Sequence, residues 1–248
     1  MHRSEAWLEV PGGGPHLHII RWGHCGRPLL AFPSEAGKAE DFAERGMLGA
    51  IAHLVREGRV SVFAVDSMDA STWSDNSAPT EERAWRHRAY HAWLVERAVP
   101  WIHGQLGAPA ELMTTGVSMG AYHAVQFALQ RADLAPLAIG LSGAYDPTKW
   151  NGWGDVGEAT YFANPSAYVP NLHGDHLDWL RSRLSILLVV GQGPFEVSPT
   201  QALPSTLHLA GLLREKGIRH ELDVWGYDSA HDWPWWQRQL AHHLPRFV

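Results

Sequence analysis

A serine framed by glycines, Gly116-Val117-Ser118-Met119-Gly120, lies between the apolar stretch "ELMTTG" and an unbroken run carrying Tyr122, Val125, Phe127 and Leu129. A short strand turning sharply into a helix fits this pattern. Such a turn would hold the Ser118 hydroxyl clear of the backbone, where it can act as a nucleophile. The flanking glycines have a steric role, because bulky side chains there would collide with the strand and the helix. The competing reading is a tight turn with a satisfied serine. Ser142, in "GLSGAY", follows a strand but lacks the second spaced glycine, and Ser67, in "VDSMD", lacks both.

A serine hydroxyl attacks poorly until a base takes its proton. On a strand-turn-helix scaffold of this kind the partners follow in the order serine, acid, histidine. The base is therefore sought past the last strand, where His231 stands in "GYDSAHDWPWW". His220 begins a strand, His242 and His243 fall in the last helix, and His123 lies one turn into the helix after Ser118, where packing explains it. His173 and His176, in "HGDH", have a spacing that a metal could use, but a solvated loop is the simpler reading. The acid holds the imidazole in its working tautomer. Glu196 is the only carboxylate in the loop "GQGPFEVSP", with Asp146 the alternative after the preceding strand. Asp223 lies inside a strand, and Asp228 is too close in sequence to His231 to approach it from the far side.

A tetrahedral oxyanion needs preorganised donors. The N–H of Met119, next after the nucleophile, is one. The other is expected from "AFPSEAGKAEDF", where Pro33 has no N–H and Ser34 or Glu35 remains; Glu35 is favoured. Trp150, Trp153, Tyr161 and Phe162, in the long segment after the sixth strand, are candidates to line a substrate site, with local packing of that segment the competing reading. The stretch "DSMDASTWSDNSAP" is a second candidate rim.

These groups must be carried by a scaffold. Strands are expected at 7–10, 16–22, 29–32, 60–65, 112–116, 137–141, 185–190 and 220–225. The first two, joined by "PGGGP", form an antiparallel ribbon. Continuous apolar runs such as "ILLVV" and "VSVFAV" suit parallel strands covered on both faces. Helices are expected at 40–57, at 81–106 with a kink or restart at Pro100, after Ser118, at 204–216 and from 233. Alternating strands and helices imply a three-layer α/β sandwich with a mostly parallel sheet, and a site beyond the strand C-termini. The segment after the sixth strand is too irregular for a large helical cap, so residues 1–248 are read as one domain with an open or partly covered pocket.

A net charge of −6 argues against a basic face for nucleic acid. Cys25 is the only cysteine, which removes intrachain disulfides and thiolate metal cages. No run approaches the ~18 apolar residues of a membrane span, and the N-terminal residues lack the apolar stretch of a signal peptide. A cytoplasmic location is the resulting expectation.

The elbow, the Gly191-x-Gly193-x-x-Glu196 loop and the late histidine followed by tryptophan ("AHDWPWWQRQL") resemble the esterase D and mycolyltransferase branch of the α/β hydrolases. "FPSEAG" sits where that family places its second oxyanion donor, although the family's glycine-bearing wording is replaced here by Pro33-Ser34-Glu35. The mycolyltransferases are exported, and no leader is visible here. The resemblance implies acyl-ester chemistry through an acyl-enzyme, with Ser118, Glu196 and His231 at the matching positions and no metal or organic cofactor. The expected activity is a serine carboxylesterase acting on a small-molecule or acyl ester. The alternatives are an acyltransferase on the same residues and a non-catalytic binding protein on the same scaffold.

Overall fold

Side-chain alternation along the strands decides how the sheet is covered. In the computed structural model, which describes residues 2–248, Leu29 and Ala31 face one layer while Leu30 and Phe32 face the other. Leu187 and Val189 likewise oppose Ile186 and Leu188. The strands are β1 (Arg3–Glu9), β2 (His16–Trp22), β3 (Arg27–Phe32), β4 (Val60–Val65), β5 (Met113–Val117), β6 (Leu137–Leu141), β7 (Ser185–Val190) and β8 (Arg219–Val224). They form one eight-stranded sheet in the order β1-β2-β4-β3-β5-β6-β7-β8. β2 pairs antiparallel with β1 and with β4, and every other pairing is parallel. The expected sandwich with its antiparallel N-terminal ribbon is therefore present.

The helical layers are α1 (Asp41–Glu44), α2 (Met47–Ala50), α3 (Ala52–Arg56), α4 (Thr80–Trp93), α5 (Val99–Leu106), α6 (Met119–Gln130), α7 (Glu158–Phe162), α8 (Pro165–Tyr168), α9 (Gly174–Arg183), α10 (Ala202–Glu215) and α11 (Trp233–His243). Phe42, Met47, Ile51 and Leu54, with Trp236 and Leu240 of α11, cover one face of the sheet. α4, α5, α6, α9 and α10 cover the other.

The single helix expected at 40–57 is three short ones. Gly46 adopts φ 80°, a left-handed conformation that ends α1 and opens α2. The kink or restart expected at Pro100 takes a specific form. A π-helical turn at Leu94–Ala98 joins α4 to α5 without a break, and Pro100, which has no N–H to donate, lies in the first turn of α5 just beyond it. α9 was not expected; its residues are mostly polar, and Leu177 and Leu180 alone are buried. Among the described residues no helix is long and apolar enough to cross a membrane.

The strand order reverses between β3 and β5: β4 lies beyond β3 on one side, and β6 beyond β5 on the other. Connections leaving β3 and β5 therefore diverge at this point and open a crevice over the strand ends. That crevice brings together the loop after β3 and the turn after β5.

Candidate active site

Ser118 stands at the end of β5 with φ 56° and ψ −122°, a conformation that non-glycine residues adopt only when their surroundings compel it. The compulsion is visible in the packing. A Cβ on Gly116 would run into the Gly120 backbone, and one on Gly120 would run into the Pro33 and Phe32 carbonyls. Strand end, helix start and the β3 loop are thus in backbone contact. Gly120→Ala is expected to destabilise the fold by about 3 kcal/mol or more. Gly49→Ala, which has open space around it, should be neutral or stabilising by up to ~1 kcal/mol. Urea unfolding of both variants checks the contrast.

The His231 imidazole lies beside this turn, with Nε2 2.9 Å from Ser118 Oγ and Nδ1 3.2 Å from Glu196 Oε2. Local structure explains both positions. Gly193 N–H donates to the Ser229 carbonyl at 2.9 Å, and His231 N–H to the Pro194 carbonyl at 3.0 Å, so the loops after β7 and β8 are laced together. A side chain at Gly191 would strike the Ser229 carbonyl. Asp232 then caps α11 by accepting from Trp233 N–H at 2.7 Å, which leaves His231 just ahead of the helix.

Glu196 is fully buried, and its second oxygen is also occupied. Oε1 accepts from Ser142 Oγ at 2.7 Å and from Gly191 N–H at 3.2 Å. Ser142 Oγ in turn accepts from Trp236 Nε1 at 3.0 Å, and the Trp236 ring meets the His231 ring edge-on at 4.9 Å. Ser142 and Trp236 therefore hold the Glu196 carboxylate and the His231 imidazole, contacts that the sequence reading missed. The available signal was "GLSGAY" at the end of β6, next to β7 in the sheet.

The other candidates are held by other partners. Asp146 caps a short turn by accepting from Thr148 N–H at 3.1 Å and also accepts from Asn164 Nδ2 at 2.8 Å. Asp223 accepts from His243 Nε2 at 2.8 Å. His220 pairs with the Ile218 carbonyl at 2.9 Å. His173 precedes α9 and His176 stacks on Trp179. No group of three or more potential metal ligands occurs among the described residues.

Ser118 and Met119 open into a cleft of about 360 Å³ walled by Glu35, Trp73, Trp150 and Asn151. In the β3 loop, Ala36 N–H donates to Asp69 and Gly37 N–H to the Ser34 carbonyl. Between Pro33, which lacks an N–H, and Gly37, the amides left for a ligand are those of Ser34 and Glu35. Met119 is the first residue of α6, where an N–H needs no intrahelical acceptor.

Of the four aromatic candidates, Trp150 alone reaches the cleft, its ring edge-on to Trp73 at 5.5 Å and Tyr122 at 4.9 Å. Trp153 is half-exposed and donates from Nε1 to the Asn76 carbonyl at 3.0 Å. Tyr161 and Phe162 line a separate hollow beside α6 with Leu129 and Tyr168. The cause is Glu81 on α4, whose carboxylate accepts from the N–H groups of Gly157, Ala159 and Thr160 and anchors α7 away from the strand ends.

Arg83, fully buried on α4, ties the cleft walls together. It donates to the carbonyls of Trp73 at 3.1 Å, Trp150 at 3.2 Å and Asn151 at 3.2 Å, and to Asn76 Oδ1 at 3.3 Å. Arg83→Met would leave these acceptors unsatisfied. A stability loss of about 3 kcal/mol is expected, with KM for a substrate held in the cleft rising about tenfold as the walls loosen. Thermal unfolding and steady-state kinetics measure the two effects.

Comparison with known proteins bears on what this geometry does. A family model described as "Putative esterase" matches residues 35–247. No curated protein matches the chain by sequence. Among solved structures, a ferulic acid esterase superposes with TM-score 0.75 at 16% identity, covering 99% of this chain and 97% of that one. MPT51 (FbpC1) of Mycobacterium tuberculosis gives 0.74 at 13%, covering 99% and 97%. An S-formylglutathione hydrolase from Agrobacterium tumefaciens gives 0.72 at 13%, covering 98% and 93%. At these identities the superpositions speak for the fold, which is that of the α/β hydrolases. The family match spans most of the sequence, from Glu35 in the loop after β3 to Phe247, and on that ground the chain belongs to this esterase family, whose general chemistry is ester hydrolysis.

Proposed function

We propose that the protein is a serine carboxylesterase that works through an acyl-enzyme, with residues 1–248 acting as one domain without a large cap. The observation that carries this reading is His231, whose two ring nitrogens reach Ser118 Oγ at 2.9 Å and the buried Glu196 carboxylate at 3.2 Å. Nδ1–H donates to Glu196, so Nε2 presents its lone pair to the serine hydroxyl. Ser118 Oγ attacks the ester carbonyl as its proton passes to Nε2. The new oxyanion is held by the N–H groups of Met119 and Glu35. Collapse of the tetrahedral intermediate expels the alcohol, which takes the proton from Nε2. Water then attacks the acyl-enzyme, gives its proton to the same nitrogen, and the acid leaves as Ser118 recovers its proton. Every proton is returned within the cycle, so no metal or organic cofactor is required.

In the cleft of about 360 Å³, Trp73 and Trp150 would serve as flat walls for the ester. The test is a panel of p-nitrophenyl esters of increasing acyl length, with fluorophosphonate labelling located by peptide mass. Turnover of short esters and a label on Ser118 are expected. Absence of both would leave a binding protein on a hydrolase scaffold.

A further inference from the structure

The two proposed oxyanion donors stand on segments far apart in the chain, Met119 at the start of α6 and Glu35 on the loop after β3. Their separation is what the transition state reads, because the donors must converge on one oxygen. A buried carboxylate joins those two segments. Asp69 Oδ1 accepts from His123 Nε2–H at 2.8 Å, and Asp69 Oδ2 accepts from Ala36 N–H at 3.1 Å. His123 lies one helical turn after Met119, and Ala36 immediately follows Glu35. The side chains of His123 and Asp69 are 2% and 1% exposed, so the pair is shielded from competing water.

The surroundings show a bracket rather than an incidental contact. Ala36 has φ 53°, a left-handed conformation that an L-residue with a side chain holds at a cost of about 1 kcal/mol. Capture of its N–H by a carboxylate offsets that cost. The same loop is gripped at further points. Ser67 N–H donates to the Gly37 carbonyl at 3.1 Å, Ala39 N–H to Asp66 Oδ1 at 3.0 Å, and Ser74 Oγ to Glu35 Oε1 at 2.5 Å. On the other side the His123 ring is fixed by Tyr90, Tyr122 and His87, at centroid distances of 5.3, 5.2 and 5.2 Å. Packing alone would account for a buried ring at position 123. It does not account for a carboxylate divided between that ring and the β3 loop.

We propose that Asp69, braced by His123, is a positioning residue that sets the distance between the two halves of the oxyanion hole. The inference rests on Ser118 being the nucleophile. Asp69 touches neither substrate nor the reacting atoms; its effect passes through Ala36 to the Glu35 N–H and through His123 to α6.

The experiment compares wild type with Asp69→Ala, His123→Leu and His123→Gln, the last of which keeps an N–H donor near the position of Nε2. Four quantities are read: kcat, KM, the affinity of an alkyl boronic acid, and the affinity of the amide analogue of the substrate. The boronic acid forms a tetrahedral adduct on the serine that fills the oxyanion hole; the amide reports ground-state binding only. A donor displaced by about 1 Å costs on the order of 100-fold. Asp69→Ala and His123→Leu are therefore expected to lose about 100-fold in kcat and a similar factor in boronate affinity, with KM and amide affinity within about twofold. His123→Gln should recover most of the loss. Wild-type kcat in His123→Leu, or a loss of kcat with boronate affinity unchanged, overturns the proposal. If Asp69→Ala does not fold, the His123→Leu and His123→Gln pair decides by itself. A wild-type protein that binds no boronic acid and takes no fluorophosphonate would instead refute the nucleophile assignment, a result distinct from failure of the bracket.

Discussion

Ser118→Ala is expected to lower kcat for a short p-nitrophenyl ester by about 10⁶-fold and to abolish fluorophosphonate labelling. The size follows from what is removed. Without Oγ no acyl-enzyme can form, and His231 is left with no hydroxyl proton to take. What remains is the cleft and the proposed oxyanion donors acting on water, which should retain a residual rate enhancement of roughly 10³-fold. Stability should change little, since alanine meets the same backbone requirement at φ 56° and no side-chain hydrogen bond of Ser118 caps α6. The variant thus separates chemistry from folding. Turnover near wild type in a folded Ser118→Ala protein would sink the nucleophile assignment.

Glu196→Gln is expected to cost about 10⁴-fold in kcat with small change in KM. The side chain is the same size, so the effect lies in which end of the amide faces which neighbour. Gly191 N–H can only donate, and it points at Oε1 from 3.2 Å. The amide oxygen must therefore take that position, because an NH₂ group there would face another N–H inside the protein. The NH₂ group is then left at 3.2 Å from His231 Nδ1. It forces Nδ1 to accept, moves the ring proton to Nε2, and turns a donor rather than a lone pair toward Ser118 Oγ. Kinetics of Glu196→Gln beside Asp146→Asn decide the assignment. Asp146→Asn should leave kcat near wild type, because its carboxylate serves Thr148 and Asn164. The reverse ranking would transfer the acid role to the loop after β6.

Much of the scaffold was legible because its signals are local. Apolar runs such as "SILLVV" and "VSVFAV" suit strands with both faces covered, and the glycines around Ser118 report a backbone contact that no side chain tolerates. Breaks in helices were less legible. Gly46 ends α1, yet the apolar residues at 42, 47, 51 and 54 continue across it at spacings close to helical. The aromatic residues after β6 were the poorest guide. Composition marks Trp150, Trp153, Tyr161 and Phe162 alike, and only the grip of Glu81 on α7 and of Arg83 on the carbonyls of Trp150 and Asn151 separates the one at the cleft from the three outside it.

The sequence by itself determined the chemistry on offer: a strained serine, a late histidine, one carboxylate in the loop between them, and an order of strands and helices with room for a site at the strand ends. These are properties of neighbours along the chain, where sterics and periodicity act over a few residues. Only the tertiary structure decided which polar groups surround the chosen ones. Ser142 and Trp236 behind Glu196, and Asp69 with His123 behind the β3 loop, meet across crossovers that carry no periodic or steric trace in sequence. A buried carboxylate must find donors wherever the sheet brings them, and that search is settled by packing in three dimensions.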